Sequence, residues 1–183
     1  MARRTILRSY NRSNVAAREL LAWIFAAEFA NPSDHVWIAM GWISDVVIFD
    51  TLNGQFDAVV GRGSLGKIHV SDLVVMMARR GTRISVVTRP DSSNEVFIEA
   101  LKRKARGSEA ELRIRLHLSP EVHHKNIVGK DWFIDGSMNL TANGLDNNVE
   151  SLTLSVDRNE AALVRTNISM TWEEKMEALH GES

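Results

Sequence analysis

Three short segments decide how this chain is interpreted: His123-His124-Lys125, Gly136-Ser137-Met138-Asn139 and Asn148-Val149-Glu150. They form the ordered pattern H-x-K, G-S-x-N, N-x-E, in which Glu150 lies eleven residues after Asn139. A single H-x-K occurs often by chance, whereas six fixed residue types in this order do not. Strands are predicted at 123–128 and 132–135, so the first two segments flank a hairpin. The pattern therefore predicts that the three segments build one functional site.

Predicted helices and strands alternate along the rest of the chain. Helices are expected from a cap at Ser13 or Asn14 to about 29, over 73–80 with Ser71 as cap and Gly81 as stop, and from a Ser92 capping box to about 106, closed by Gly107. A final helix begins near Asp157 and carries one apolar stripe, formed by Val164, Ile168, Trp172, Met176 and Leu179. Further strands are expected at 35–43, 56–60, 83–88, 111–118 and 150–156. This order predicts an α/β sandwich with a mixed central sheet flanked by helices.

Composition limits the class of protein. With 183 residues, 44% hydrophobic and 25% charged, the chain fits one globular domain over 1–183, in which the basic segment 1–13 need not be fixed. A net charge of −1 means that any site for a polyanion must come from local clustering. The absence of cysteine excludes a thiol nucleophile and a Cys-ligated metal. The apolar stretch 20–27 is flanked by charges and predicts a packed helix, so we expect a cytoplasmic protein without a membrane segment.

The three segments resemble the HKD motif of the phospholipase D superfamily. The spacing is most similar to that of the single-motif members, which are the small bacterial endonuclease and the metal-independent restriction-nuclease domain. The resemblance implies the family's fold over about 14–179 and cleavage of phosphodiesters without a cofactor or metal. One departure is that Lys130 stands where the family pattern has Asp, and Asp131 follows one position later.

The resemblance also implies the residue roles. His123 would be the nucleophile and would form a phosphohistidine, while Glu150 would accept a hydrogen bond from its other ring nitrogen. Lys125 and Asn139 would hold the non-bridging phosphate oxygens, and Ser137 would support them. His124 is a spacer. Since the mechanism needs a second imidazole as general acid and the chain carries one motif, the resemblance implies a homodimer that shares one active site.

The expected substrate is a nucleic acid, DNA or RNA, and relatives in prokaryotic defence systems suggest such proteins as further partners. Arg62 and Lys67, in and beside a glycine-rich loop, are candidates for phosphate binding. One alternative is a non-catalytic or partner-activated nucleic-acid-binding subunit. A second is a dinucleotide-binding protein that uses the G-x-G-x-x-G at 61–66, which would require a helix to begin at the last glycine.

Other conspicuous side chains favour structural roles. Trp132 and Phe133 are predicted in the core or a dimer interface. The basic clusters at 79–83 and 102–106 are interpreted as solvated helix ends that complement the helix dipole. The remaining histidines show no spacing typical of a metal site; they are His35, His69, His117 and His180.

Overall fold

Strand β2, His35–Met40, is apolar on both of its faces, which places it in the interior of the sheet. Val36 and Ile38 pack into one hydrophobic core, and Trp37 and Ala39 pack into another. None of the four is more than 1% exposed. A strand that is buried on both faces needs covering layers on both sides, and this requirement sets the sandwich architecture.

The structure is a computed structural model that describes residues 3–7, 15–50, 66–146 and 150–180. Its strands are β1 (Arg3–Leu7), β2 (His35–Met40), β3 (Val47–Asp50), β4 (Lys67–His69), β5 (Arg83–Thr88), β6 (Ile114–Leu118), β7 (Lys125–Val128), β8 (Phe133–Gly136), β9 (Ser151–Ser155) and β10 (Glu177–Ala178). Its helices are α1 (Val15–Ala30), α2 (Val70–Arg79), α3 (Ser92–Ala105), α4 (Glu109–Arg113), α5 (Ala142–Asp146) and α6 (Arg158–Trp172), followed by a 3-10 turn at Glu173–Lys175.

Eight strands form one sheet in the order β1-β9-β8-β7-β2-β5-β6-β10, and β3 pairs with β4 apart from it. The pairs β2–β5 and β5–β6 are parallel, and the remaining pairs are antiparallel. This confirms the predicted α/β sandwich with a mixed sheet. Strands β2, β5, β6 and β8 all end at one end of the sheet, where β7 and β9 begin. We call this the motif end, and we call the opposite end, which holds the β7–β8 turn, the hairpin end.

The two faces of the sheet carry different helices. Helices α1, α2 and α3 cover the larger core, whereas α6 covers the smaller one around Trp37. In the described residues, no helix has the length and apolar composition that a membrane span requires.

Several predicted boundaries are wrong. Helix α2 begins at Val70 after His69, so Ser71 is not its cap; instead its buried hydroxyl donates to Asp45 Oδ2 at 2.9 Å. In the strand predicted at 111–118, the first three residues belong to α4, and only Ile114–Leu118 form a strand, β6. Leu112 is therefore 88% exposed on α4.

The caps and the final helix show a mixed outcome. Asp157 caps α6 as expected, but Asp91, rather than Ser92, caps α3. Helix α6 ends at Trp172, and Leu179 packs in the opposite core from it. The helix-stopping role of Gly81 and Gly107 is confirmed by their positive φ angles of 101° and 69°, although α2 and α3 end at Arg79 and Ala105.

Some of the observed elements were not predicted. Strands β1, β3 and β4 and helix α5 do not follow from the sequence pattern. The predicted cap at Ser13 or Asn14 and the predicted strand at 56–60 lie outside the described residues.

Candidate active site

The motif end of the sheet collects the segments that carry the H-x-K, G-S-x-N and N-x-E residues. Lys125 begins β7 and pairs with Met40, the last residue of β2. Gly136 ends β8 and pairs with Leu152 near the start of β9. The residues just before β7, just after β8 and just before β9 therefore lie at the same end of the sheet. The topology therefore brings the H-x-K and G-S-x-N segments to the same end of the sheet as Glu150, whereas Asn148 and Val149 lie outside the described residues.

His123 and Lys125 lie on the approach to β7. The His123 side chain is exposed, and the carbonyl of the buried Val122 before it accepts a hydrogen bond from Arg89 Nε at 3.2 Å. Lys125 Nζ donates to the His123 carbonyl at 3.3 Å. Within the described parts of the chain, no hydrogen-bond partner meets the His123 ring. The imidazole is therefore accessible to a substrate.

Ser137 and Glu150 are held together. Gly136, with φ of 153°, precedes Ser137, and a Cβ at Gly136 would lie 2.1 Å from the Ser151 carbonyl oxygen. Only glycine allows this close approach between β8 and β9. As a result, the Ser137 hydroxyl donates to Glu150 Oε2 and accepts from the Ser151 N–H at 3.0 Å. The serine thereby fixes the Glu150 carboxyl group, and the pairing of Glu150 with His123 stays a prediction.

Asn139 is oriented by the loop that follows β2. The backbone N–H of Trp42 donates to Asn139 Oδ1 at 3.4 Å. Since a backbone N–H must meet an acceptor, the amide Nδ2 is left as the outward donor. It meets no partner among the residues that the structure describes, as a ligand for a phosphate oxygen requires.

The loops after β2 and β5 share one buried anchor that sequence reasoning missed. Asn94 is 0% exposed, and its Nδ2 lies 3.1 Å from the Gly41 carbonyl and 2.9 Å from the Arg89 carbonyl. Its Oδ1 accepts from the Ile43 N–H at 2.8 Å. Asn94 therefore fixes the loops that carry Trp42 and Arg89. The available signal was topological, because residues that follow parallel strands meet at one end of a sheet.

The two candidate phosphate ligands outside the motif have different outcomes. Arg62 lies outside the described residues. Lys67 is exposed at the start of β4, opposite Asp50 of β3, and nothing in the described chain ties it to the motif. The dinucleotide-binding alternative fails because Gly66 is followed by β4, and α2 begins only at Val70.

The residues interpreted as structural have structural partners. Phe133 is buried, and Trp132 packs against the core with its indole N–H donating to Glu28 Oε2 at 2.9 Å. In the basic clusters, Arg80 lies over the Phe29 ring and Lys104 pairs with Asp72. Across the described residues, no three His, Asp or Glu side chains converge as metal ligands.

The family model described as "Cardiolipin synthase, PLD-like domain" matches residues 64–172, which include the whole motif. The chain belongs to this phospholipase D-like family. The predicted family is thereby confirmed, and membership together with the motif supports phosphodiesterase chemistry. No curated protein matches the chain.

Solved structures share this phospholipase D-like fold at low sequence identity. NucT from Helicobacter pylori is 13% identical, with a TM-score of 0.57 over 96% of this chain and 97% of that one. Nuc from Salmonella typhimurium, a phospholipase D family member, is 10% identical, with a TM-score of 0.58 over 96% and 95%. Polyphosphate kinase from Porphyromonas gingivalis is 10% identical, with a TM-score of 0.60 over 92% of this chain and 26% of that one. These likenesses concern the fold alone.

Proposed function

We propose that the protein is a metal-independent nuclease that cleaves DNA or RNA through a phosphohistidine at His123. The observation that carries this proposal is that the H-x-K and G-S-x-N segments and Glu150 lie at one end of the sheet, where the His123 imidazole is exposed. The match in length and fold to NucT and Nuc supports it, because these too are short phospholipase D-like chains.

The chemistry follows from the side chains. One nitrogen of His123 attacks phosphorus, so a P–N bond forms as the P–O bond to the leaving group breaks. Lys125 and the Asn139 amide donate to the non-bridging oxygens, where negative charge develops. Glu150, oriented by Ser137, accepts a hydrogen bond from the other ring N–H of the imidazole and stabilises the positive charge of the ring. Water then cleaves the P–N bond and regenerates the histidine.

The leaving oxygen needs a proton from a second acid, and the attacking water later returns a proton to the same group. A second copy of the chain would supply this group as its own His123. An isologous dimer across the motif end places two such histidines face to face. We therefore propose a homodimer with one shared active site. By analogy with single-motif relatives, we also propose that it acts in the cytoplasm and within a prokaryotic defence system.

One observation favours a partner-activated nucleic-acid-binding subunit as the second candidate. Lys125 Nζ is bound to the His123 carbonyl, and the His123 ring meets no hydrogen-bond partner in the described chain. Among the described residues of a single copy, no side chain thus orients the imidazole of His123. If no self-association supplies such a contact, another protein must.

The test is cleavage of labelled single- and double-stranded DNA and RNA in excess EDTA, beside His123→Asn and His124→Asn. The second variant is a matched control, since His124 is the next residue and is also exposed. We expect cleavage that survives EDTA, falls by about 10³-fold or more in His123→Asn and is unchanged in His124→Asn. Light scattering should give the mass of a dimer.

Cleavage that EDTA abolishes would contradict the histidine mechanism. Binding without cleavage by a monomer would favour the partner-activated subunit.

A further inference from the structure

A cleft of about 320 Å³ adjoins the motif and has no role in the mechanism above. It shares Asn139 with the phosphate site. Its wall is formed by one indole ring and by neutral amide and hydroxyl groups, from Trp42, Ser44, Ser93, Asn139, Thr141 and Asn143. None of these side chains carries a charge. The cleft therefore suits a flat, uncharged, hydrogen-bonding group rather than a phosphate.

Trp42 is fixed on three sides. Its backbone N–H donates to Asn139 Oδ1, and its indole N–H donates to Asp91 Oδ2, both at 3.4 Å. The Arg89 guanidinium lies 4.9 Å from the centre of the indole ring. Such contacts hold the ring in one orientation before a ligand arrives, so little side-chain entropy is lost on stacking.

Arg89 stands between the cleft and the nucleophile. Its Nε is bound to the carbonyl of Val122, the residue before His123. Its two terminal nitrogens meet no hydrogen-bond partner in the described portion of the chain, which leaves a fork suited to a phosphate. The same guanidinium lies over the indole ring, so a cation already occupies that face of Trp42.

Asp91 adds a negative charge beside the cleft. Hydrogen bonds from the Ser93 side chain and backbone lower the pKa of Asp91, so its carboxylate is charged. Since this carboxylate binds the indole N–H at the cleft wall, a phosphate there would be repelled. Arg89 carries the positive charge that a phosphate needs and the cleft lining carries none, so we expect the phosphate at Arg89 and the neutral moiety at Trp42.

We propose that this cleft is a nucleobase subsite, in which an unpaired base beside the scissile phosphate stacks on Trp42 while Arg89 holds the adjoining phosphate. This inference rests on the proposed nuclease function. A base within a duplex is already stacked and paired, so it must leave the helix to reach Trp42. The subsite therefore selects single-stranded substrates.

The test measures binding separately from cleavage. Fluorescence anisotropy of labelled oligo-dT, oligo-rU and a matched duplex is recorded with the full chain carrying His123→Asn, alone and combined with Trp42→Leu, Trp42→Phe or Trp23→Leu. Trp23 is a matched control, because it is an exposed tryptophan on α1. We expect Trp42→Leu to weaken single-strand binding about 10-fold, Trp42→Phe to retain most of it, and Trp23→Leu and duplex binding to be unchanged.

Equal losses for single strands and duplex, no loss in Trp42→Leu, or no binding to any oligonucleotide would overturn the subsite. Thermal unfolding of each variant shows whether a loss of binding comes from the missing indole ring or from loss of the folded structure. The two proposals fail separately. If the wild-type protein binds single strands through Trp42 but cleaves nothing, the subsite stands and the nuclease function is overturned. If the Trp42→Leu variant cleaves as well as the wild-type protein, the nuclease function stands and the subsite is overturned.

Discussion

The two ends of the sheet use polar side chains in opposite ways. At the hairpin end, the Glu28 side chain is 2% exposed and accepts from the Ser33 N–H at 2.6 Å, the Ser33 hydroxyl at 2.9 Å and the Trp132 indole at 2.9 Å. At the motif end, His123 is exposed and its ring meets no partner in the described chain. Satisfied polar groups stabilise a fold, whereas unsatisfied ones are available to a substrate. Substitutions at the two ends should therefore separate activity from stability.

The largest effect is expected at the motif end. Lys125→Met should lower kcat for cleavage of a labelled oligonucleotide by about 10²–10³-fold, because one donor to the developing charge is lost. Its midpoint of thermal unfolding should stay the same, since the Lys125 amine makes one hydrogen bond within the described residues, to the His123 carbonyl. Lys125→Arg keeps the charge and should give an intermediate rate. Cleavage by Lys125→Met at the wild-type rate would contradict the role of the motif end in activity.

The hairpin end should show the reverse. Glu28→Ala leaves buried donors of Ser33 and Trp132 unsatisfied, so the free energy of unfolding should fall by about 3 kcal/mol in urea titration. Glu28→Gln keeps one acceptor and should lose less free energy of unfolding. This variant replaces Glu28→Ala in the measurement if the alanine variant does not fold. Glu99→Ala is the control, because the Glu99 side chain is 70% exposed. A large change in kcat for folded Glu28→Gln would show that the two ends are coupled.

This difference also explains what the sequence could predict. The motif residues could be predicted because their chemistry requires fixed types at fixed spacing, and strand β5 was predicted at its observed bounds of Arg83–Thr88. Glu28 carries no such pattern. Its partners lie 5 and 104 positions along the chain, and only the fold brings them together.

The predicted strand at 111–118 was confirmed over Ile114–Leu118 and was wrong over its first three residues, for a related reason. Leu112 alternates with Ile114 and Leu116, which is typical of a strand. The structure buries the latter two in β6 and leaves Leu112 exposed on α4. Alternation reports which residues are apolar, but not which of them the core accepts.

His35 provides a pH test at the hairpin end. Burial and then the charges of Arg83, Arg165 and Arg115 lower the pKa of His35 from its ordinary 6.5 to about 4. Between these values the unfolded chain binds more protons than the folded one, so stability falls as pH falls from 6.5 towards 4, and it is unaffected above 6.5. Allowing for solvent screening at this partly exposed site, the loss between pH 7 and pH 5 should be about 1 kcal/mol.

Urea unfolding at both pH values measures this loss. His35→Gln, which can still bond the Ser85 hydroxyl, should remove it, and His124→Gln at the motif end should not. An equal loss in the wild type and His35→Gln would mean that other groups at this end set the acid sensitivity.

The smallest effect is expected where the chain departs from the family pattern. Lys130 and Asp131 lie in the turn at the hairpin end, where the Lys130 N–H donates to the Ser33 hydroxyl at 2.8 Å and Asp131 pairs with Arg158 at 2.7 Å. Lys130→Asp restores the family residue but keeps that backbone bond, and it removes two exposed contacts of Nζ, to Asn31 Oδ1 and to the Pro32 carbonyl. We therefore expect kcat within about twofold of wild type and a stability change within about 0.5 kcal/mol, measured by the same cleavage and urea assays. A marked gain in activity would mean that the Asp position acts on the motif through the length of β7, and the separation between the two ends would then be incomplete.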